Sequence, residues 1–208
     1  MLPKLIAHGG PVLWLLIVIS GVALVTFVER MLHLHRAQIN SIEFLNGVRT
    51  VLKRANVVEA LSICDATPGP VAQLVKTAIL NRDRSREELR EALQEARWVE
   101  APRLEEKLGL LATIAQITPM IGLLGTALGL IEIFGQVEKA GVYAELGLLS
   151  GGVWQALICT AAGLAIAIPT YAGYNYLIGR VNDITLDMDR ASAEIIRIVT
   201  DKPAPTVP

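Results

Sequence analysis

Three long stretches of the chain carry no charged side chain. Pro11–Val28 runs for 18 residues, Leu108–Ile131 for 24 and Leu146–Gly179 for 34. A membrane-spanning helix needs about 20 apolar residues, and a charge at its centre costs a few kcal/mol or more, so each run predicts a transmembrane helix. Elsewhere the polar and apolar positions follow the helical period, with starts marked by capping chemistry. Asn56 with Glu59 and Ser85 with Glu88 have the capping-box spacing. Between them Thr67-Pro68-Gly69-Pro70 breaks the pattern, because proline lacks an amide hydrogen and restricts the residue before it. A helical hairpin is expected there. From Arg86 the pattern passes through Glu87, Arg90, Glu91 and Glu95 towards the second apolar run, which predicts one long helix entering the second span, with Glu87 and Arg90 spaced to pair.

The third run is longer than a bilayer requires. At about 1.5 Å per residue it extends roughly 50 Å, against a hydrocarbon core near 30 Å, so it projects beyond the membrane or lines a protein interior. Beyond Arg180, the residues Val181, Ile184, Met188, Ala191, Ile195 and Ile198 recur at helical spacing and predict an amphipathic extension. Lys202–Pro208, with three prolines, reads as a frayed tail.

The composition agrees with a membrane protein: 52% of residues are hydrophobic and the mean hydropathy is +0.47. The net charge of −1 leaves no basic excess to neutralise phosphates, which argues against nucleic-acid binding. The distribution of charge also orients the chain. Residues 30–107 carry thirteen Lys and Arg and the segment after Gly179 carries four, whereas only Lys4 precedes the first run and only Lys139 lies between the second and third. By the positive-inside rule the N-terminus lies outside and the C-terminus in the cytoplasm. The expected organisation is a periplasmic N-terminus and first span over 1–29, then a cytoplasmic helical region over 30–107. The second span follows over 108–133, a periplasmic hairpin over 134–149, the third span over 150–178, and a cytoplasmic helix and tail over 179–208. The first run is too long for a signal-peptide core and lacks a small-residue cleavage site after it, so it is expected to stay in the mature protein. The fold class is therefore all-α, with three transmembrane helices and long cytoplasmic helical extensions.

Inside the membrane the informative residues are small or hydroxylated. The second span carries Thr118, Gly122, Gly125, Thr126 and Gly129; the third carries Ala156, Thr160, Gly163, Ala167 and Thr170. Small residues three and four apart let helix backbones approach closely, which makes Gly122, Gly125, Gly129 and Gly163 candidate helix-packing positions. Such stripes also serve as plain helix glue, with threonine hydroxyls bonded back to their own backbone. Thr126 and Thr160 fall near the middle of their spans, where polar groups face protein or water, so a polar lining shared by the two spans is the sharper expectation. No Asp, Glu, Lys, Arg or His lies within any of the three runs. Threonine does not titrate, so any proton crossing here requires a carboxylate from another chain. Glu132 borders the second run, either as an interfacial glutamate or as an entrance site.

Enzyme chemistry finds little support. Gly122-Leu123-Leu124-Gly125 does not continue into a phosphate-binding pattern, and no HExxH or buried serine–base constellation occurs. His33 and His35 point to different faces of a helix, and Cys64 and Cys159 show no ligand spacing and are expected to remain thiols. No catalytic residue, metal site or cofactor is expected. Trp14, Trp154, Tyr174 and Tyr176 fit interfacial belts.

Arg103–Ala115 with Thr118–Ile131, Gly151–Pro169 continuing to Tyr174-Asn175-Tyr176, and the opening His8-Gly-Gly-Pro-Val with Val28-Glu-Arg together resemble the MotA/TolQ/ExbB proton-channel family. The likeness covers nearly the whole chain, is strong through the second and third spans and loose over 40–85. Three spans fit short ExbB and TolQ proteins better than the four-span MotA branch. The resemblance implies a homo-oligomeric ring, a pentamer, around an ExbD/TolR-like single-span partner supplying an intramembrane aspartate, with a TonB-like protein as a further partner. It implies an inner-membrane location and a motor that couples the proton motive force to outer-membrane transport. By position it makes Thr126 and Thr160 channel-lining residues and adds Gln155, which stands where ExbB and TolQ proteins usually have glutamate; an amide keeps polar contacts but does not ionise. A TolQ-like duty in envelope maintenance, a sodium-driven variant and a non-conducting helical scaffold are the alternatives.

Overall fold

The computed structural model describes residues 10–54, 56–140 and 146–200, and their side chains except at 140 and 146–149. The expected periplasmic N-terminus before Gly10, the middle of the hairpin after the second span and the expected frayed tail lie outside the described residues. Among the described residues seven helices follow in order: α1 (Gly10–Ala37), α2 (Ser41–Lys53), α3 (Val57–Ala66), α4 (Pro70–Leu80), α5 (Arg86–Glu105), α6 (Leu108–Ala140) and α7 (Leu146–Thr200). No strand occurs among the described residues. Three of the helical segments are long and apolar enough to cross a membrane. The protein is an all-α membrane protein.

The chain divides into two units, the first formed by residues up to Arg30 and Lys107–Tyr176, the second by Met31–Glu106 and the chain from Leu177. In the first unit, α6 buries one narrow stripe: Leu108, Leu111, Ala115, Thr118, Gly122, Gly125, Gly129 and Ile133. The steps of three and four keep this seam on one side, as in coiled coils. Away from the seam the helix remains apolar, and Met120 (66% exposed), Ile131 (68%) and Phe134 (70%) point outward. A helix that is apolar all round while burying only one narrow strip needs a non-aqueous solvent on its other faces. Glu29 and Lys107 form an ion pair within this unit, joining the end of the first apolar run to the start of α6.

The helix predicted to run unbroken from Arg86 into the second span is interrupted. Glu106 is extended and Lys107 takes a positive φ of 62°, so α5 ends and α6 begins anew. Pro102 in the last turn of α5 already removes one backbone donor. The expected Glu87–Arg90 pair does not form either: both side chains line an open groove, and an exposed pair of this kind contributes only a few tenths of a kcal/mol towards holding two long side chains in place.

The second unit is conventional in its amphipathicity. Leu45, Val48 and Val51 of α2, seven of the eleven residues of α4, and Leu89, Leu93 and Leu104 of α5 are buried, and from α7 so are Leu177, Val181, Ile184, Met188, Ala191 and Ile195. The apolar stripe expected after Arg180 is thus a core face. Asn56 accepts from the Glu59 amide, as its spacing predicts, and Asn40 caps α2 the same way through Glu43. The predicted hairpin is closed by Thr67–Pro70, with Pro70 opening α4 and Gly69 at φ 112°. Only glycine adopts that backbone easily, and a Cβ there would lie 2.6 Å from the Ala37 carbonyl oxygen. Both cysteines are buried outside any disulfide, and burial pushes the Cys64 thiol up to about 11, so it packs as a neutral group.

At the start of α5 the Ser85 hydroxyl caps the Glu88 amide while the Glu88 carboxylate accepts the Ser85 amide at 2.9 Å. That backbone hydrogen bond, with the Ser85 hydroxyl beside it, holds the Glu88 carboxyl below the usual carboxylate range. A depressed pKa gives stability that is present above the unfolded carboxylate's pKa and lost as pH falls through the folded one. Glu88→Gln should therefore lower the melting temperature at pH 7 and lose that difference towards pH 3, followed by circular dichroism in detergent. Gly69→Val should destabilise the same unit by about 1–3 kcal/mol from backbone strain alone, read as a lower denaturation midpoint.

Candidate functional site within the apolar unit

The candidate site sits where α6 meets α7. Glycines set the separation of the two backbones. A Cβ on Gly122 would fall 2.9 Å from the Cys159 carbonyl oxygen and 3.4 Å from the Gly163 Cα; one on Gly163 would fall 2.9 Å from the Thr118 carbonyl oxygen. Gly125 packs on the Cys159 side chain, and Gly129 faces Gly152 and Ala156. Cys159 and Gly152 were not singled out as packing positions in the sequence, although they lie seven residues apart and so share a face.

That closeness brings a hydroxyl on one helix to the backbone of the other. Thr126 Oγ1 donates to the Ala156 carbonyl oxygen at 3.0 Å, lies 3.3 Å from its own helix's Gly122 carbonyl, and is hydrogen-bonded to the Thr160 hydroxyl. Carbonyls only accept, so when the Thr126 proton goes to one of them the Thr160 hydroxyl donates to Thr126. Oxygen lone pairs are then left to accept from a further donor. Rotating either hydroxyl turns the pair into a donor. Two threonines in contact thus offer hydrogen bonds to either protonation state of a carboxyl group without changing charge. Both side chains are half-buried rather than sealed.

The other polar residues of the seam are differently placed. Thr118 is fully buried and bonds to the Ile114 carbonyl of its own helix at 2.5 Å, and Thr170 does the same to Ile166 at 2.7 Å. These two hydroxyls follow the plain back-bonding pattern. Gln155 is not brought to the threonine pair by any hydrogen bond described; its amide nitrogen lies against Gly10 at the start of α1, 2.6 Å from where a Cβ would stand. Five residues separate Gln155 from Thr160, about 140° around a helix at 100° per residue. Thr26 of α1 is buried at 6% exposure and was not anticipated, since an isolated threonine in an apolar run gives no periodic signal. Glu132 is exposed on α6.

A sequence profile described as the MotA/TolQ/ExbB proton channel family matches residues 66–190, more than half of the chain. The chain belongs to this family. It is 27% identical over 210 residues to the biopolymer transport protein ExbB of Neisseria gonorrhoeae, covering 93% of this chain and 95% of that one. Similarity to the Tol-Pal system protein TolQ of Haemophilus influenzae reaches 42%, over 88 residues, which is 42% of this chain and 38% of the relative. An ExbB homolog from Methanothermobacter thermautotrophicus is 28% identical over 181 residues, and the chain spans 64% of its length. The family is one of membrane transport proteins and proton channels rather than of enzymes. The matched region runs from the Thr67–Pro70 turn through α4, α5, α6 and most of α7, and so holds both threonines.

If the glycine seam holds the site together, Gly122→Val should force the helices apart, with overpacking of about 1–3 kcal/mol. It should reduce the detergent-extracted yield of folded protein and its protease resistance. Gly135→Ala, where a Cβ meets nothing within 4 Å, should leave both unchanged.

Proposed function

We propose that this chain is the channel-forming motor subunit of an inner-membrane complex that couples the proton motive force to work on outer-membrane transport. A ring of copies, a pentamer by family resemblance, would surround the spans of an ExbD/TolR-like partner. The observation that carries this reading is the Thr126–Thr160–Ala156 cluster in a unit whose apolar runs hold no Asp, Glu, Lys, Arg or His. The partner's intramembrane carboxyl group supplies the titratable site, and the threonine hydroxyls receive it in both protonation states. Each charge moved across the membrane releases about 2.3 kcal/mol per 100 mV. Several protons per cycle therefore supply conformational work.

Gln155 takes no part in proton binding in this scheme, since an amide does not ionise; it holds the start of α1. The N-terminus lies in the periplasm and the C-terminus in the cytoplasm, following the thirteen basic residues of 30–107. Full-length coverage of an ExbB protein favours the ExbB-type duty, with a TonB-like protein as the further partner. A TolQ-like duty in envelope maintenance is the second reading, favoured by the higher identity to TolQ over the shorter match.

Thr126→Val and Thr160→Val should each leave the complex assembled, as judged by native mass spectrometry, while lowering protonophore-sensitive uptake at least tenfold; Thr→Ser at either site should retain it. Wild-type activity in both valine variants would remove the threonines from the ion path and favour a scaffold.

A further inference from the structure

In the second unit, basic side chains gather along one side of α5 and the adjoining part of α7. Arg86, Arg90 and Arg97 of α5 and Arg197 of α7 line a groove of about 580 Å³, together with two acids, Glu87 and Asp189. A neighbouring groove of about 780 Å³ shares Arg197 and adds Arg49, Lys53 and Arg190, with Glu194 as its one acid. Arg97 pairs with Asp189 at 3.0 Å and Arg190 lies 3.7 Å from Asp187. Among the described residues Arg49, Arg86, Arg90 and Arg197 form no ion pair. Basic residues therefore outnumber acids in both grooves, four to two in the first and four to one in the second, in a chain whose net charge is −1.

The same helix carries the complement. Glu91 and Glu95 are exposed and form no ion pair among the described residues, and beside them Trp98 (66% exposed) and Val99 (56%) present apolar surface outside the charge-free runs. At 100° per residue this edge is centred about 150° around α5 from the arginines, so the two surfaces face away from each other. They do not meet within one chain. An exposed tryptophan flanked by acids is the kind of anchor that a basic groove with aliphatic arginine stems receives, with guanidinium stacking on the ring.

We infer that the acidic Glu91–Glu95–Trp98 edge of α5 in one copy docks into the Arg86–Arg90–Arg197 groove of a second copy. The contact uses two different surfaces, so it is heterologous and propagates from copy to copy until a ring closes. It rests on the ring proposed above and names the surfaces that join it in the second unit.

The test uses the full chain with its native partners, in isolated membranes. An Arg90→Cys/Glu95→Cys double variant is oxidised with copper phenanthroline and run on a non-reducing gel. Five residues apart on one helix exceeds the about 7 Å Cα separation that a disulfide tolerates, so no bond forms within a chain. The native thiols are buried. The double variant is expected to give a ladder of multiples of the 22.5 kDa chain, and each single variant none. Reversing the groove (Arg86→Glu/Arg90→Glu) should cut the fraction of intact multimer at least tenfold, and adding Glu91→Arg/Glu95→Arg should restore it, a rescue that misfolding does not give. If no ladder forms while native mass spectrometry still shows the multimer, or if the cysteines link only to another protein, the docking is overturned and the ring stands. If no multimer exists at all, both fall.

Discussion

The contact between Gly122 and Gly163 is the constraint from which the apolar unit follows. With no side chain on either side, α6 and α7 come close enough for a Cβ at either position to meet the opposite backbone at 2.9 Å. In lipid there is no hydrophobic force to press two apolar helices together, so close van der Waals contact and interhelical hydrogen bonds must supply the association. The glycines provide the first, and the second follows because the separation is small enough for Thr126 to reach the Ala156 carbonyl. A single larger residue in this seam would weaken both.

The two units solve burial in opposite ways. In the first, many large apolar side chains face outward and the middle of the seam, from Ala115 to Gly129, is built of glycine, alanine and threonine, which suits a hydrocarbon solvent. In the second, Leu, Val, Ile and Met face inward, and Glu, Arg and Lys face out, as water demands. The helix α7 carries both patterns along one heptad-like line, from Ala156 and Gly163 to Val181, Met188 and Ile195. The periodicity of its buried face continues while the size of the residues on it changes.

The chemistry of the site is limited by what a hydroxyl can do. A threonine pair can orient, accept from or donate to a carboxyl group, yet it cannot store a proton as an ionised group. This makes the chain a poor proton carrier alone and a suitable wall for one. The back-bonded Thr118 and Thr170 set the contrast, since their hydroxyls are tied to their own helices and have no such freedom.

Much of this was legible in the residue order. Charge-free runs marked the three apolar helices, because the cost of a charge in hydrocarbon excludes it from them. Asn56 and Ser85 marked two helix starts because their short polar side chains satisfy amides left over at a first turn. The glycine stripes and the two threonines were visible as spacing. Three-dimensional packing alone decided that Thr126 and Thr160 touch while Gln155 turns to Gly10, because side chains 140° apart on a helix look alike in one dimension. It also decided the break at Glu106–Lys107, since a positive φ at lysine has no signature in the sequence and persists only where its surroundings hold it.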